Sequence, residues 1–210
     1  DVDYSLGNNF ADFASQFSKD SRYRTELYKL RRKFMSHADG LIHADLHTSN
    51  ILASRDEMKV IDMEFAFMGP FGYDLGYLVG NLISQYCAAC FKRFPSEQNR
   101  KQFKAYLLAT IQSLIETYMK TFTLCWERSV KERYRGQQGL LQSILQEVMV
   151  DMPGYASMVN WFRSVSDIPY PDFDVIENKD AKRNATVLSL MIDWGIMFGR
   201  YKYQSADDLI

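Results

Sequence analysis

Hydrophobic positions recur along this chain in two rhythms. Between Ser21 and Ala38 the residues Tyr23, Leu27, Leu30 and Phe34 return at intervals of three and four, one face of a helix, while Arg31, Arg32 and Lys33 fall on a solvated opposite face. From Gly76 onwards the helical stripes lengthen. Phe103, Leu107, Ile111, Leu114, Tyr118 and Phe122 form one, and Val187, Leu190, Met191, Trp194, Met197 and Tyr201 form another. Leu140 to Val150 and Tyr155 to Phe162 predict shorter helices separated by the breaker Met152-Pro153-Gly154, and IPYPDFDV, starting at Ile168, predicts an irregular linker. Leu41–Ile42, Asn50–Ala53 and Lys59–Ile61 are too brief for helices. The last two flank the polar turn SRDEM and predict a small hairpin. The expected fold is mainly α with a small β hairpin, in a single domain over residues 1–210 with no internal repeat.

Composition narrows the partners more than the fold. With 210 residues, 47% of them hydrophobic, the chain can bury a sizeable core. Twenty-five basic against 26 acidic residues give no electrostatic reason to expect nucleic acid or an anionic membrane. A small-molecule partner is expected, and a homodimer is left open. Three cysteines are too few for a disulfide framework, and Cys87 and Cys90 share one helical face in an apolar segment, so core thiols in a reducing cytoplasm are expected. Neither a signal-peptide pattern nor a membrane-length apolar run is present.

The unusual chemistry is concentrated in LIHADLHTSNIL, Leu41 to Leu52, which holds two of the three histidines. Alternate residues on an extended segment face one way, so His43, Asp45 and His47, joined by Asp62, could form the metal site of a hydrolase. The same segment also reads His43-x-Asp45 with Asn50 five residues after the aspartate, the spacing of a phosphotransferase catalytic loop. Phosphoryl transfer needs a carboxylate aimed at the acceptor oxygen and hard oxygen ligands for Mg²⁺. Asp62 and Glu64, at the end of the strand MKVID, supply a further pair of such ligands. The bland account has the histidines bonding backbone and the aspartates tying turns. Asp74 is expected to cap the helix that follows it.

LIHADLHTSNILAS together with VIDMEFAFMGPFGYDLGYLVGNL resembles the 5-methylthioribose kinases, within the aminoglycoside phosphotransferase and choline kinase group. The resemblance is close from Leu41 to Leu82 and looser in the preceding helix and from Tyr155 to Lys182. It implies the C-terminal lobe of a protein-kinase-like fold and transfer of the ATP γ-phosphoryl group to the anomeric hydroxyl of 5-methylthioribose in methionine salvage. It further implies Asp45 as catalytic base, Asp62 and Glu64 as the magnesium-binding acidic pair, and Asn50 as a further metal ligand. Arg163 would contact the substrate, with His43 and His47 as supports on the substrate side. Three departures stand out. Met63 replaces a proline between the acidic residues, Asn50 replaces the serine usual in methylthioribose kinases, and Phe162-Arg163 replaces a pair of arginines. Residues 1–40 carry only Gly7 and Gly40 and no strand lysine of the V-A-I-K type. The expectation is a lobe without its N-terminal nucleotide lobe, inactive alone, with a degenerate binding-only lobe as the non-enzymatic alternative.

Overall fold

The computed structural model describes residues 19–166 and 170–210. Helix α1 (Ser21–Ser36) opens on Asp20, whose carboxylate accepts from the Arg22 and Tyr23 amides. Tyr23 and Leu30 are buried and Leu27 and Phe34 pack beside them, as the apolar spacing predicts. Lys33 departs from its expected solvated face: its side chain is 14% exposed and pairs with Glu147 and Asp151.

Four three-residue strands follow. β1 (Gly40–Ile42) pairs antiparallel with β4 (Phe67–Gly69), placing Leu41 opposite Met68. β2 (Ile51–Ala53) and β3 (Met58–Val60) form the expected hairpin, with Leu52 opposite Lys59. β4 carries only three residues, and so short a run gives the period-2 signal no length in which to show.

The helical body comprises α2 (Gly72–Phe91), α3 (Glu97–Ser129), α4 (Gln138–Val165), the single turn α5 (Pro171–Asp174) and α6 (Lys179–Gly199). Here α4 corrects the two-helix reading. Pro153 sits inside one continuous helix, and the Arg200 guanidinium donates to the Val150 carbonyl at 3.1 Å, one turn ahead of the proline that disrupts the local ladder. The linker is corrected in part as well. Pro171 occupies the first turn of α5, where its missing N–H is not needed, while Ile168 and Pro169 lie outside the described residues.

α2 and α4 make the most extensive helix contact. Glycines permit it: a Cβ on Gly76 would lie 2.6 Å from the Met152 carbonyl oxygen, and one on Gly80 2.5 Å from that of Ala156. Val79, Leu82, Met152 and Ala156 fill the core there, with Leu107, Ile111 and Ile115 of α3 and Ala185 of α6. On α6, Leu190 and Met197 are buried as expected, but Met191 is exposed and Tyr201 lies beyond the helix end. Cys87 is buried, Cys90 half-buried and Cys125 exposed, all three unpaired.

Two polar features cross the body. Glu26 accepts from the Arg200 guanidinium at 2.8 Å, from the Tyr201 hydroxyl at 2.6 Å and from Lys29 at 2.7 Å. Burial pushes its carboxyl upward, yet these three donors outweigh burial and draw it down to about 2. In the core, Asn160 accepts from Ser84 and donates to Asp193, both at 2.7 Å, while the second Asp193 oxygen has no hydrogen-bond partner. Complete burial lifts the Asp193 carboxyl well above the usual carboxylate range. No helix among the described residues is long and apolar enough to cross a membrane.

Candidate active site

The segment after β1 leaves the sheet through an unusual backbone. Ala44 has φ 68°, a left-handed conformation that costs energy for a residue bearing a Cβ and persists only where surrounding contacts fix it. Asp74 provides those contacts. As the third residue of α2 it reaches across, and its two carboxylate oxygens accept the His43 amide at 2.6 Å and the Ala44 amide at 2.9 Å. The expected capping role is thereby corrected, since the side chain is spent on the loop and Phe71 stands at the helix N-cap with no side-chain cap bond. Burial raises the Asp74 carboxyl against the lowering effect of those two amides.

His43 is buried and joins the two halves of the motif. Its Nε2 lies 2.8 Å from the Ile61 carbonyl, which can only accept, so Nε2 carries the hydrogen. Its Nδ1 accepts the Asp45 amide at 3.3 Å. Both ring nitrogens are committed to backbone, Nδ1 to Asp45 and Nε2 to Ile61, the residue immediately before Asp62. Asp62 is the second non-glycine residue with positive φ, at 67°, and its side chain and that of Glu64 are exposed.

Asp45 is half-buried at the centre. The Tyr77 hydroxyl donates to its Oδ1 at 2.8 Å, and His47 Nε2 stands 3.5 Å from its Oδ2. The Asn50 amide nitrogen donates to the Asp45 carbonyl at 3.0 Å, leaving Oδ1 as its remaining polar atom, and Asn50 is 6% exposed. Tyr77, whose phenol is pushed up by burial and then by the Asp45 carboxylate, was not singled out by the sequence. Its position four residues before Asn81 on α2 is the only available sign: Asn81, fully buried, accepts from both the Thr48 amide at 2.9 Å and the Thr48 hydroxyl at 2.8 Å.

Asn81 extends the network to Arg163. It donates to Asp172, and Asp172 Oδ2 receives both Nε and Nη2 of Arg163 at 2.6 Å, with Gln85 as a further donor. Arg163 is buried, at 9% exposed, its guanidinium lies 4.4 Å from the Tyr170 ring centroid, and its partner Asp172 is 3% exposed. Asp172, inside the predicted linker, carried no sequence signal.

Chemically, the arrangement sets one pinned carboxylate beside an exposed acidic pair and a buried amide oxygen. Asp62, Glu64 and Asn50 offer only hard oxygen donors, which fits Mg²⁺ rather than zinc. Among the described residues no three His, Cys, Asp or Glu side chains gather as a metal site. The hydrolase set His43, Asp45, His47 and Asp62 is therefore not assembled.

A carboxylate on a strand-to-hairpin loop, buttressed by the next helix and followed by an acidic pair, is phosphotransferase architecture. Residues 9–115 match the phosphotransferase enzyme family, and the chain belongs to that family. Curated relatives carry a narrower name. The methylthioribose kinase of Geobacillus thermodenitrificans is 33% identical over 205 residues, covering 96% of this chain and 49% of the relative. That of Exiguobacterium sibiricum is 35% identical over 137 residues, 65% of this chain and 33% of the relative. The chain spans about half the length of the first of these relatives.

Proposed function

We propose that this chain is the catalytic and acceptor-binding lobe of an ATP-dependent small-molecule kinase acting on the anomeric hydroxyl of 5-methylthioribose in methionine salvage. The observation that carries the reading is the Asp45 carboxylate, held at 2.8 Å by Tyr77 in a loop whose left-handed turn is clamped by Asp74. The names and coverage of the relatives support the acceptor and a nucleotide lobe outside this chain. Unpaired cysteines agree with a cytoplasmic enzyme.

In this reading Asp45 accepts the proton of the attacking hydroxyl as its oxygen bonds to the γ-phosphorus, and the bond from that phosphorus to the β–γ bridging oxygen breaks, releasing ADP. Asp62, Glu64 and Asn50 would hold Mg²⁺, which neutralises charge on the phosphate oxygens when bound. His43 ties the Asp45 segment to the Asp62 segment. His47 and Tyr77 orient the Asp45 carboxylate, and Arg163, fixed by Asp172, faces the acceptor. The lobe alone is expected to show no turnover.

The test is ATP-dependent phosphorylation of 5-methylthioribose by the full-length product of the gene encoding this chain. Asp45→Asn should lower kcat by about 10²–10⁴-fold, the usual worth of a positioned base. Transfer to no sugar, or an Asp45→Asn rate equal to the wild type, refutes the assignment.

A further inference from the structure

Asn81, fully buried on α2, touches both ends of the candidate site. Its Oδ1 accepts the Thr48 amide at 2.9 Å and the Thr48 hydroxyl at 2.8 Å, while its Nδ2 stands 3.4 and 3.5 Å from the two Asp172 oxygens. A backbone N–H can only donate and an ionised carboxylate can only accept, so the amide has one orientation here, oxygen to Thr48 and nitrogen to Asp172. Thr48 opens the 3₁₀ turn Thr48–Asn50, whose N-cap, His47, makes no side-chain cap bond. Asn81 therefore meets a donor that the turn itself leaves open. The turn in turn holds the metal end: the Asn50 side chain donates to the Asp45 carbonyl at 3.0 Å, and the Asn50 carbonyl accepts the Ile61 amide at 3.0 Å, one residue before Asp62. On the opposite side Asp172 fixes Arg163 through Nε and Nη2 and takes Gln85 as a further donor.

We infer that Asn81 is a positioning residue that links the acceptor end of the site to its metal end. An acceptor held at Arg163 tightens Mg²⁺ at Asn50, Asp62 and Glu64, and by reciprocity the metal tightens the acceptor by the same factor. The inference rests on the kinase reading and adds to it an energetic linkage between two ligands. Its physical basis is that the Thr48 amide, the Thr48 hydroxyl and the Asp172 carboxylate share one buried side chain, and a single arrangement pairs all of them. A shift of Asp172 with Arg163 strands the Asn81 Nδ2 in the core, and a shift of the turn strands its Oδ1 and the Thr48 N–H. A ligand that holds either end in the paired arrangement therefore removes part of the cost of holding the other. Aspartate in place of Asn81 would set a second carboxylate against Asp172, and an apolar residue would satisfy neither end, so the bridge needs an acceptor and a donor on one short side chain.

The experiment is Mn²⁺ titration of the full-length product of the gene encoding this chain, followed by electron paramagnetic resonance with the non-hydrolysable ATP analogue AMP-PNP present, in the presence and absence of 5-methylthioribose. In the wild type the sugar should tighten Mn²⁺ about tenfold, within the usual range for linked sites. Asn81→Leu, which keeps a branched side chain and removes both ends of the bridge, should weaken Mn²⁺ about tenfold and bring the effect of the sugar to a factor of about one. A merely structural role would weaken Mn²⁺ and leave the effect of the sugar at its wild-type factor. Thr48→Val removes the hydroxyl bond and spares the amide; it should cut the factor to about threefold, and it supplies the answer should Asn81→Leu not fold. A wild-type factor of one, or the full factor kept by Asn81→Leu or, in its place, by Thr48→Val, overturns the inference. Phosphorylation of the sugar by the full-length product alongside such a result leaves the kinase reading standing. Loss of the factor in Asn81→Leu with no phosphoryl transfer by the wild type does the reverse.

Discussion

Replacing Asp74 with alanine separates a helix cap from a loop clamp. If the side chain served only the helix terminus, its loss would cost about 1 kcal/mol. In the structure the two carboxylate oxygens each take a separate amide, from His43 and Ala44, and Asp74 is itself half-buried. Alanine leaves two partly buried N–H groups unsatisfied at roughly 1–3 kcal/mol each. With water reaching part of the loop, the lower half of that range applies, about 2–4 kcal/mol. At roughly 2–4 °C per kcal/mol for a chain of this size, the melting temperature should fall by about 5–15 °C. Asp74→Asn keeps one acceptor and should lose roughly half as much. The two variants also differ with pH. Burial raises the folded-state carboxyl above its ordinary value of 3.8, so its contribution is complete below that pH and declines as pH rises through the folded value. The gap between wild type and Asp74→Asn should therefore narrow as pH rises above 3.8. Thermal melts of the 210-residue chain followed by circular dichroism provide the measurement. A loss of about 1 kcal/mol in Asp74→Ala, or an Asn variant as destabilised as the Ala variant, refutes the clamp.

Other consequences are equally measurable. Glu26 is drawn from 4.5 to about 2 by Lys29, Tyr201 and Arg200 against burial, so it contributes up to about 3 kcal/mol of stability above pH 4.5 that is lost as pH falls towards 2. Glu26→Gln should flatten the acid limb of the unfolding curve in that window, as read by urea titrations at stepped pH. Asp193, raised by burial, has the opposite sign, and Asp193→Asn should stabilise the chain at neutral pH with the gain vanishing in acid. Gly76→Ala and Gly195→Ala should move stability in opposite directions. A Cβ at Gly76 meets the Met152 carbonyl oxygen at 2.6 Å, an overpacking worth about 1–3 kcal/mol or more, whereas nothing lies within 4 Å at Gly195 and alanine there gains up to about 1 kcal/mol.

Where the sequence was legible, a single local rule decided the outcome. The 3.6-residue spacing of Tyr23, Leu27, Leu30 and Phe34 sufficed for α1, and two short apolar runs around SRDEM sufficed for β2 and β3. Pro153 misled because a proline reads locally as a breaker, whereas here it lies inside one continuous helix whose face is packed along its length against α2. Within the site, the spacing of His43, Asp45 and Asn50 located the loop. It could not reveal Tyr77, Asn81 or Asp172, whose parts depend on how α2 and α5 lie against that loop. Arg163 was visible as a residue type, but its burial was not, because Asp172 is its partner only after the chain turns at Pro171.

The buttressing of the Asp45 loop from α2 and α5 also bears on the order in which this protein can be made. A ribosome delivers residues 41–50 well before the groups that fix them, first Asp74, then Tyr77 and Asn81, and much later Asp172. During that interval Ala44 has no clamp to hold its left-handed turn, so the catalytic loop can be sampled but not retained. The site nearest the start of the described chain is therefore among the last to be completed, and a nascent chain arrested before Asp172 would carry an Arg163 with no carboxylate to orient it.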